Sequence, residues 1–282
     1  MSVVAQSMEV SIAILLAMLA AASTSILSIV GLAGGTIIVP ALVLLFGLEA
    51  RFAAGTTIFA LIFGIFSAAI AYLRQGRVDL RLAILFDTLD VFGVGLGSYL
   101  TLVISSKDLA LLMGLFLLFA AWKLWPRLEQ AEKRSKRWGG RVVWRRRVIT
   151  REGNVSEYEL SLIELFLSQV ASFFSGIATG LFGIGGGAVD ATVMILIGVP
   201  PHIATATAVF GMTITKVAGV ISHYLLGNVI IEYAIPMAVG AVLGGQLGPK
   251  ISTKIKPQDL RKMLSVLVLL IGLRMIAFRF LQ

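Results

Sequence analysis

Four ionisable residues sit inside stretches of sequence that otherwise suit lipid. Asp87 and Asp90 lie seven and ten residues into an apolar run that begins at Leu80, roughly 10–15 Å deep at helical rise. Their i, i+3 spacing puts both carboxylates on one helix face. Lys216 stands near the centre of the apolar stretch 203–226, and Asp190 follows a glycine cluster at 183–187. A charge at such depth is expensive unless it faces a cavity or a partner. Two chemistries fit these types. Carboxylates can bind and release a coupling proton or cation, and an ammonium can receive an anion. The alternative is a structural ion pair, Lys216 with one aspartate, holding two parts of the molecule together.

Around these charges stand neutral groups able to contact an anion. Thr56, Thr57, Thr205 and Thr207 lie on apolar helices, where a hydroxyl either meets a ligand or bonds back to its own helix carbonyls. Gln246 lies on a glycine-rich helix and adds an amide contact. Gly31-Leu-Ala-Gly34-Gly35-Thr36 and Gly183-Ile-Gly-Gly186-Gly187 each precede an apolar segment of only about twelve residues. Such a segment covers roughly 18 Å of a hydrocarbon layer about 30 Å thick, so it is read as a half-helix. Its first N–H groups are free and sit at the positive end of the helix dipole, and glycine lets a ligand approach the backbone. Gly34, Gly35, Thr36, Gly186 and Gly187 therefore join the substrate-binding set with the threonines, Lys216 and Gln246. Asp87, Asp90 and Asp190 form the coupling set. Other glycine spacings, Gly93-x-x-x-Gly97 and Gly240-x-x-x-Gly244-x-x-x-Gly248, read as helix packing. His202 and His223 read as solvated residues near the membrane boundary.

Composition explains why half-helices and buried charges belong together here. The 282-residue chain is 58% hydrophobic and 14% charged, with a mean hydropathy of +0.95. A soluble domain carries roughly 25% charged residues. The apolar runs are continuous, unlike the short alternating segments of a membrane β-barrel. The first run, 9–30, lacks a basic start, since no Lys or Arg precedes Arg51, and it reads as a retained helix. Zero cysteines remove disulfides and thiolate ligands, and with two histidines no metal or other cofactor is expected. The net charge of +9 is concentrated in residues 123–151, between apolar spans. That pattern marks a loop facing anionic lipid in the cytoplasm and not a nucleic-acid surface.

An internal repeat organises the chain. Ala53-Ala-Gly-Thr56-Thr-Ile-Phe59 recurs as Ala204-Thr-Ala-Thr207-Ala-Val-Phe210, and the register continues through Gly76/Gly227, Val78/Val229, Gly93/Gly244 and Gly97/Gly248. The four charges have no charged counterparts: Lys216 aligns with Ile65, Asp87 with Ala238, Asp90 with Ala241 and Asp190 with Ile38. A symmetric scaffold does not require them, which favours site chemistry. The expected fold is an all-α integral membrane protein of two repeats, 1–126 and 160–282, joined by a basic cytoplasmic linker at 127–159. Each repeat has about five helical segments, near 9–30, 36–47, 52–73, 80–104 and 108–125, then 160–182, 188–199, 203–226, 230–253 and 258–280. With the linker inside, Arg74, Arg77, Arg81, Lys250, Lys254 and Lys256 also fall inside, while both termini and the 227–229 loop fall outside. The repeats are then inverted relative to one another, with broken or re-entrant half-helices between them.

The motifs Gly31-Leu-Ala-Gly-Gly-Thr36-Ile-Ile-Val-Pro40 and Gly183-Ile-Gly-Gly-Gly-Ala188, each followed by an Ala/Gly/Thr-rich helix, resemble those of the TauE/SafE family of membrane permeases, the sulfite exporter family. The resemblance covers nearly the whole chain. It implies a multi-pass protein of the plasma (inner) membrane that moves small sulfur-containing anions such as sulfite, sulfoacetate or other organosulfonates. A passive anion channel would use the same cavity without alternating access. An intramembrane enzyme acting on a lipid phosphate would need a positioned nucleophile or acid–base set, and no such motif stands in the apolar segments. The expected partners are a small anion, the bilayer, a coupling proton or cation, and further copies of the chain.

Overall fold

The computed structural model describes residues 10–28, 34–124, 142–251 and 257–281. Among these are ten helices and one β-hairpin: α1 Val10–Ser28, α2 Gly35–Leu44, α3 Ala50–Arg74, α4 Leu80–Val103, α5 Ser106–Leu124, β1 Val142–Ile149, β2 Val155–Ser161, α6 Leu162–Phe182, α7 Gly187–Leu196, α8 Pro201–Leu225, α9 Ile231–Ile251 and α10 Pro257–Leu281. The helices follow the apolar segments. Four of them, α1, α3, α6 and α8, are long and apolar enough to cross a membrane. The half-helices α2 and α7 have 10 residues each, about 15 Å at helical rise. The start of the first break, including Gly31, and the basic residues 127–141, Lys254 and Lys256 lie outside the described residues.

Local sequence sets several boundaries. Asp79 caps α4 by accepting from the N–H groups of Arg81 (3.1 Å) and Leu82 (3.2 Å). Ser161 and Glu164 form a reciprocal capping box at the start of α6, satisfying donors that lipid would leave stranded. Gly183 ends α6 with φ 68°, a left-handed conformation that a side chain would strain.

Helices pair in a pattern that survives exchange of one half for the other. α4 packs on α6 and α1 on α9; α3 packs on α9 and α4 on α8; α2 packs on α3 and α7 on α8. The seams are built from small residues, which let backbones approach where lipid supplies no hydrophobic drive between helices. Gly93 and Gly97 of α4 face the carbonyls of Phe173 and Ile177, and Gly176 and Gly180 of α6 face those of Asp90 and Val94. Gly240 and Gly244 of α9 face the carbonyls of Ala17 and Ala21 on α1. Large apolar side chains such as Met18, Phe92, Phe166 and Phe174 point outward, as a lipid-facing surface demands.

The expected linker 127–159 is not a plain loop, and the described chain is not wholly α-helical. Residues 142–161 form an antiparallel hairpin in which Arg145 faces Glu159, Arg146 faces Tyr158 and Arg147 faces Glu157. Its inner face, with Val148, Tyr158 and Leu160 and the partly buried Trp144, packs on Leu82 and Phe86 of α4, on Ala191, Met194 and Ile195 of α7, and on Ile203, Ala204 and Ala208 of α8. The hairpin also ties to the end of α3 through the Arg151 N–H on Gln75 O (3.1 Å), and to the start of α8 through Ser156 and His202 (3.2 Å). So α3 ends at the hairpin and α8 begins there.

Candidate transport site

The two glycine breaks touch. A Cβ added at Gly35, the first residue of α2, would lie 2.6 Å from Gly183 O and 2.8 Å from Ile184 Cα. The first half-helix therefore starts directly against the second break. Lys216 of α8, 0% exposed, reaches the same carbonyl and donates to Gly183 O at 3.3 Å. Among the described residues no carboxylate pairs with Lys216, so the ion pair weighed above is not what holds it. Its ammonium keeps two further N–H groups for another acceptor.

The carboxylates gather one layer away, across the seam of α4, α6 and α8. Asp87 (5% exposed) and Asp90 (1%) both meet the hydroxyl of Thr215, at 2.8 Å and 2.5 Å. Gly211 of α8 and Gly176 of α6 give them room, since a Cβ at either would strike Asp87 or Asp90. Ser175, beside Gly176, packs on Gly186 at the foot of α7, and Asp190, 5% exposed, lies in the first turn of that half-helix. The fields of Asp87 and Asp90 reach Asp190, and that of Lys216 reaches Asp90. Asp87, Asp90, Asp190, Lys216 and both breaks thus form one connected region. Thr215, which bridges the acids, escaped the sequence reading because it resembles the many other helix threonines. Its position next to Lys216 and four residues after Gly211 was the available signal.

The two half-helix starts are chemically different. At α2, Ile37 and Ile38 donate back to Gly34 O, leaving the N–H groups of Gly35 and Thr36 outside the helix ladder. The hydroxyls of Thr24, Thr36 and Thr57 are buried and have no hydrogen-bond partner among the described residues. A Cβ at Gly34 would lie 3.0 Å from Thr24 Oγ1, so this hydroxyl stands at the helix mouth. A buried hydroxyl left unpaired costs about 1–3 kcal/mol, which a ligand oxygen would recover. At α7 the corresponding first turn instead carries the buried carboxyl of Asp190.

The remaining residues have other work. Thr56 accepts the Ile230 N–H (3.0 Å) and Thr207 the Asp79 N–H (3.0 Å). Each repeat-matched hydroxyl thus secures the chain entering the fourth helix of the opposite repeat, a use neither expected reading named. Gln246 donates to Ser67 O and Oγ (3.2 and 2.8 Å), stitching α9 to α3. Thr205 lies eleven residues before Lys216 on α8, about 16 Å away along the axis. His223 is not solvated: it is 0% exposed, its Nε2 bonds Gly180 O (2.8 Å), and Nδ1 receives Asn228 Nδ2 (3.3 Å). Asn228 also donates to Thr101 Oγ1 (3.0 Å), so this network closes the end of α8 onto α4 and α6.

The model of the family described as Sulfite exporter TauE/SafE matches residues 14–275. The probable membrane transporter protein YunE of Bacillus subtilis is 28% identical over 257 residues, covering 88% of this chain and 92% of that protein. A probable membrane transporter protein of Methanocaldococcus jannaschii is 27% identical over 264 residues, covering 88% and 90%. Sulfite exporter TauE/SafE family protein 3 of Arabidopsis thaliana is 30% identical over 103 residues, 36% of this chain and 21% of that one. No solved structure matches. With half-helices meeting at paired glycine breaks and a family match that spans nearly every helix, the chain belongs to the TauE/SafE sulfite exporter family of multi-pass membrane transporters.

Proposed function

We propose that this protein is a secondary carrier for small sulfur-containing anions, sulfite or organosulfonates, working by alternating access in the plasma membrane. One observation carries the reading. The mouth of α2 abuts Gly183 beside the buried ammonium of Lys216, with the hydroxyls of Thr24 and Thr36, unpaired among the described residues, at that mouth. Half-helix N–H groups, hydroxyls and one cation suit a compact oxyanion. The sulfite exporter description of the family agrees with this charge. Asp87, Asp90 and Asp190 then serve coupling, since a proton or cation bound there would offset the charge of the anion as both cross.

The arrangement of the halves supports alternating access. Packing partners exchange between repeats, and α3 ends where α8 begins, as an inverted duplication requires. The positive-inside rule puts the hairpin with its Arg145-Arg146-Arg147 run in the cytoplasm. In a chain without cysteine, single cysteines report sidedness by labelling with impermeant reagents. Glu152→Cys, at the hairpin turn, is expected to label only after the membrane is opened. Leu45→Cys and Leu225→Cys are expected to label from outside. Labelling of Glu152→Cys in intact cells would reverse the orientation, and opposite sides for Leu45→Cys and Leu225→Cys would end the inverted-repeat reading.

The substrate reading is tested on purified protein in liposomes with a panel of sulfite, sulfonates, carboxylates and neutral solutes. Accelerated tracer exchange against an opposing gradient separates a carrier from a channel. Lys216→Met, close in volume, is expected to weaken anion affinity roughly 10- to 100-fold, the range of a hydrogen bond to a charged group. Unchanged affinity in a folded Lys216→Met protein would remove the lysine from the site. Transport of neutral solutes but none of the anions would refute the substrate class.

A further inference from the structure

We infer that Thr215 is the positioning residue that makes Asp87 and Asp90 one proton-carrying unit, its hydroxyl relaying a proton between them; this rests on the coupling role proposed for the two acids. The geometry is a count of protons. Thr215 Oγ1 stands 2.8 Å from Asp87 Oδ1 and 2.5 Å from Asp90 Oδ2, both hydrogen-bond distances. A hydroxyl has one hydrogen and so donates to one carboxylate only. The second contact needs a hydrogen from the other side, which only a protonated carboxyl supplies. Two ionised carboxylates would leave one contact as bare oxygen against oxygen, with the pair closed to water at 5% and 1% exposure.

The surroundings leave the proton in the pair. From α8, Lys216 is engaged by Gly183 O and pairs with neither acid, and His223 is bonded to Gly180 O and Asn228. From α7 comes a third buried acid, Asp190, and no cation. From α6 come neutral groups: Gln169 donates to Leu85 O and Ser172 to Phe86 O, while the acid of that helix, Glu164, is held by Ser161. On the hairpin, Arg146 and Tyr158 are held by Asp79. The glycines at 176 and 211 leave room for both carboxyls beside Thr215, because an added Cβ at either would strike them.

Relay needs no outside reactant. The carboxyl of Asp87 gives its proton to Thr215 Oγ1 as the Thr215 hydroxyl gives its own to the Asp90 carboxylate. One O–H bond forms at Asp90, one breaks at Asp87, and threonine ends as it began with its hydroxyl turned round. Asp87 is the acid nearer the hairpin, and Asp90 lies about 4.5 Å further along α4, toward the layer of Lys216. The proton thereby moves one step between the hairpin end and the anion site.

The test is anion uptake into liposomes as a function of pH and of an imposed pH gradient. Thr215→Val keeps the shape and removes the hydroxyl. It is expected to lose at least tenfold of gradient-driven accumulation and to flatten the pH profile, while Thr215→Ser restores both. Accumulation within twofold of the parent in Thr215→Val, or equal loss in the serine and valine variants, overturns the relay. Should the valine variant fail to fold, infrared spectroscopy of the unaltered protein decides. A protonated-carboxyl band at neutral pH that weakens in Asp87→Asn/Asp90→Asn supports the shared proton, and its absence overturns it. If Asp90→Asn itself leaves the gradient response intact, the coupling reading fails. If Asp90→Asn abolishes the response and Thr215→Val does not, only the relay fails.

Discussion

Replacing Arg146 with methionine is expected to destabilise the folded protein by about 2–4 kcal/mol and to release the hairpin from the helix ends. Arg146 grips Asp79 with two hydrogen bonds, Nε to Oδ2 at 2.7 Å and a terminal nitrogen to Oδ1 at 2.8 Å, and the Asp79 side chain is 0% exposed. Tyr158 donates to the same carboxylate at 2.7 Å. Stripping the cation from a buried pair typically costs about 3–5 kcal/mol. Arg146 itself is 21% exposed, and Asp79 keeps its tyrosine and its two cap bonds, so the lower range applies. The neighbouring pairs make the control. Arg145–Glu159 and Arg147–Glu157 are solvent-exposed, with arginine side chains 79% and 63% open, and pairs of that kind contribute little. Arg145→Met and Arg147→Met should melt within error of the parent protein. Equal melting of all three variants would mean that Asp79 does not hold the hairpin.

The same carboxylate carries a pH signature. Burial alone would raise the Asp79 carboxyl, but the hydrogen bonds from Arg146, Tyr158 and the Leu82 N–H, with the arginine charge, outweigh it and hold the group below the ordinary carboxylate range. A depressed folded value means that the contribution is complete above the unfolded value, near 4. It is lost as pH falls from there through the folded value. Asp79→Asn, which keeps the cap geometry, should therefore remove part of the acid sensitivity seen in melting below about pH 4, and change little in the shape of the curve above it. Hydrogen exchange at 142–161 follows the same latch. An acid limb that stays unchanged in Asp79→Asn would assign that sensitivity to other groups.

How much of this was legible in the sequence depends on which force set each feature. Helices came through because lipid imposes a long apolar run, and the half-helices came through because their runs are too short to span. The two glycine breaks were legible as equivalents in the repeat, but the approach of Gly35 to Gly183 was not, because repeat matching says nothing of which segments touch. The hairpin was hidden by its charge. Arg145, Arg146 and Arg147 read as a solvated loop, yet Glu157, Tyr158 and Glu159 lie opposite them in order. The alternation of Val142, Trp144, Arg146 and Val148 with outward residues was available as a strand signal. Asp79 drew no reading because its partner Arg146 lies 67 positions away. The same distance argument explains Thr215, whose two partners are 128 and 125 residues removed. Thr56 and Thr207 were found by repeat symmetry, but symmetry identifies equivalence and not employment. Their use appeared only when each received a backbone N–H from the opposite repeat. What stays invisible in a single sequence is pairing across helices, where side chains of ordinary type acquire a role from their neighbours.

Gly35→Ala tests whether contact between the two breaks is needed for transport or only for assembly. The added methyl would enter 2.6 Å from Gly183 O and 2.8 Å from Ile184 Cα, both backbone atoms that cannot rotate aside. Overpacking of this sort costs about 1–3 kcal/mol, and relief requires α2 to back away from the carbonyl that Lys216 holds. Transport is expected to fall at least tenfold while the protein still assembles, because moving the mouth of α2 separates its first N–H groups from the ammonium. Gly95→Ala is the matched control. It lies in α4 with nothing within 4 Å of the added atom, and alanine is favoured over glycine in a helix by up to about 1 kcal/mol. That variant should melt at or above the parent temperature and transport normally. Gly97→Ala supplies the third arm, because its methyl strikes Ile177 O in the α4–α6 seam, away from the breaks. If Gly97→Ala loses stability but retains flux per folded molecule, while Gly35→Ala loses flux, then the meeting of the breaks is part of the transport site. Full flux in a folded Gly35→Ala protein would make that meeting a packing contact and move the anion site elsewhere.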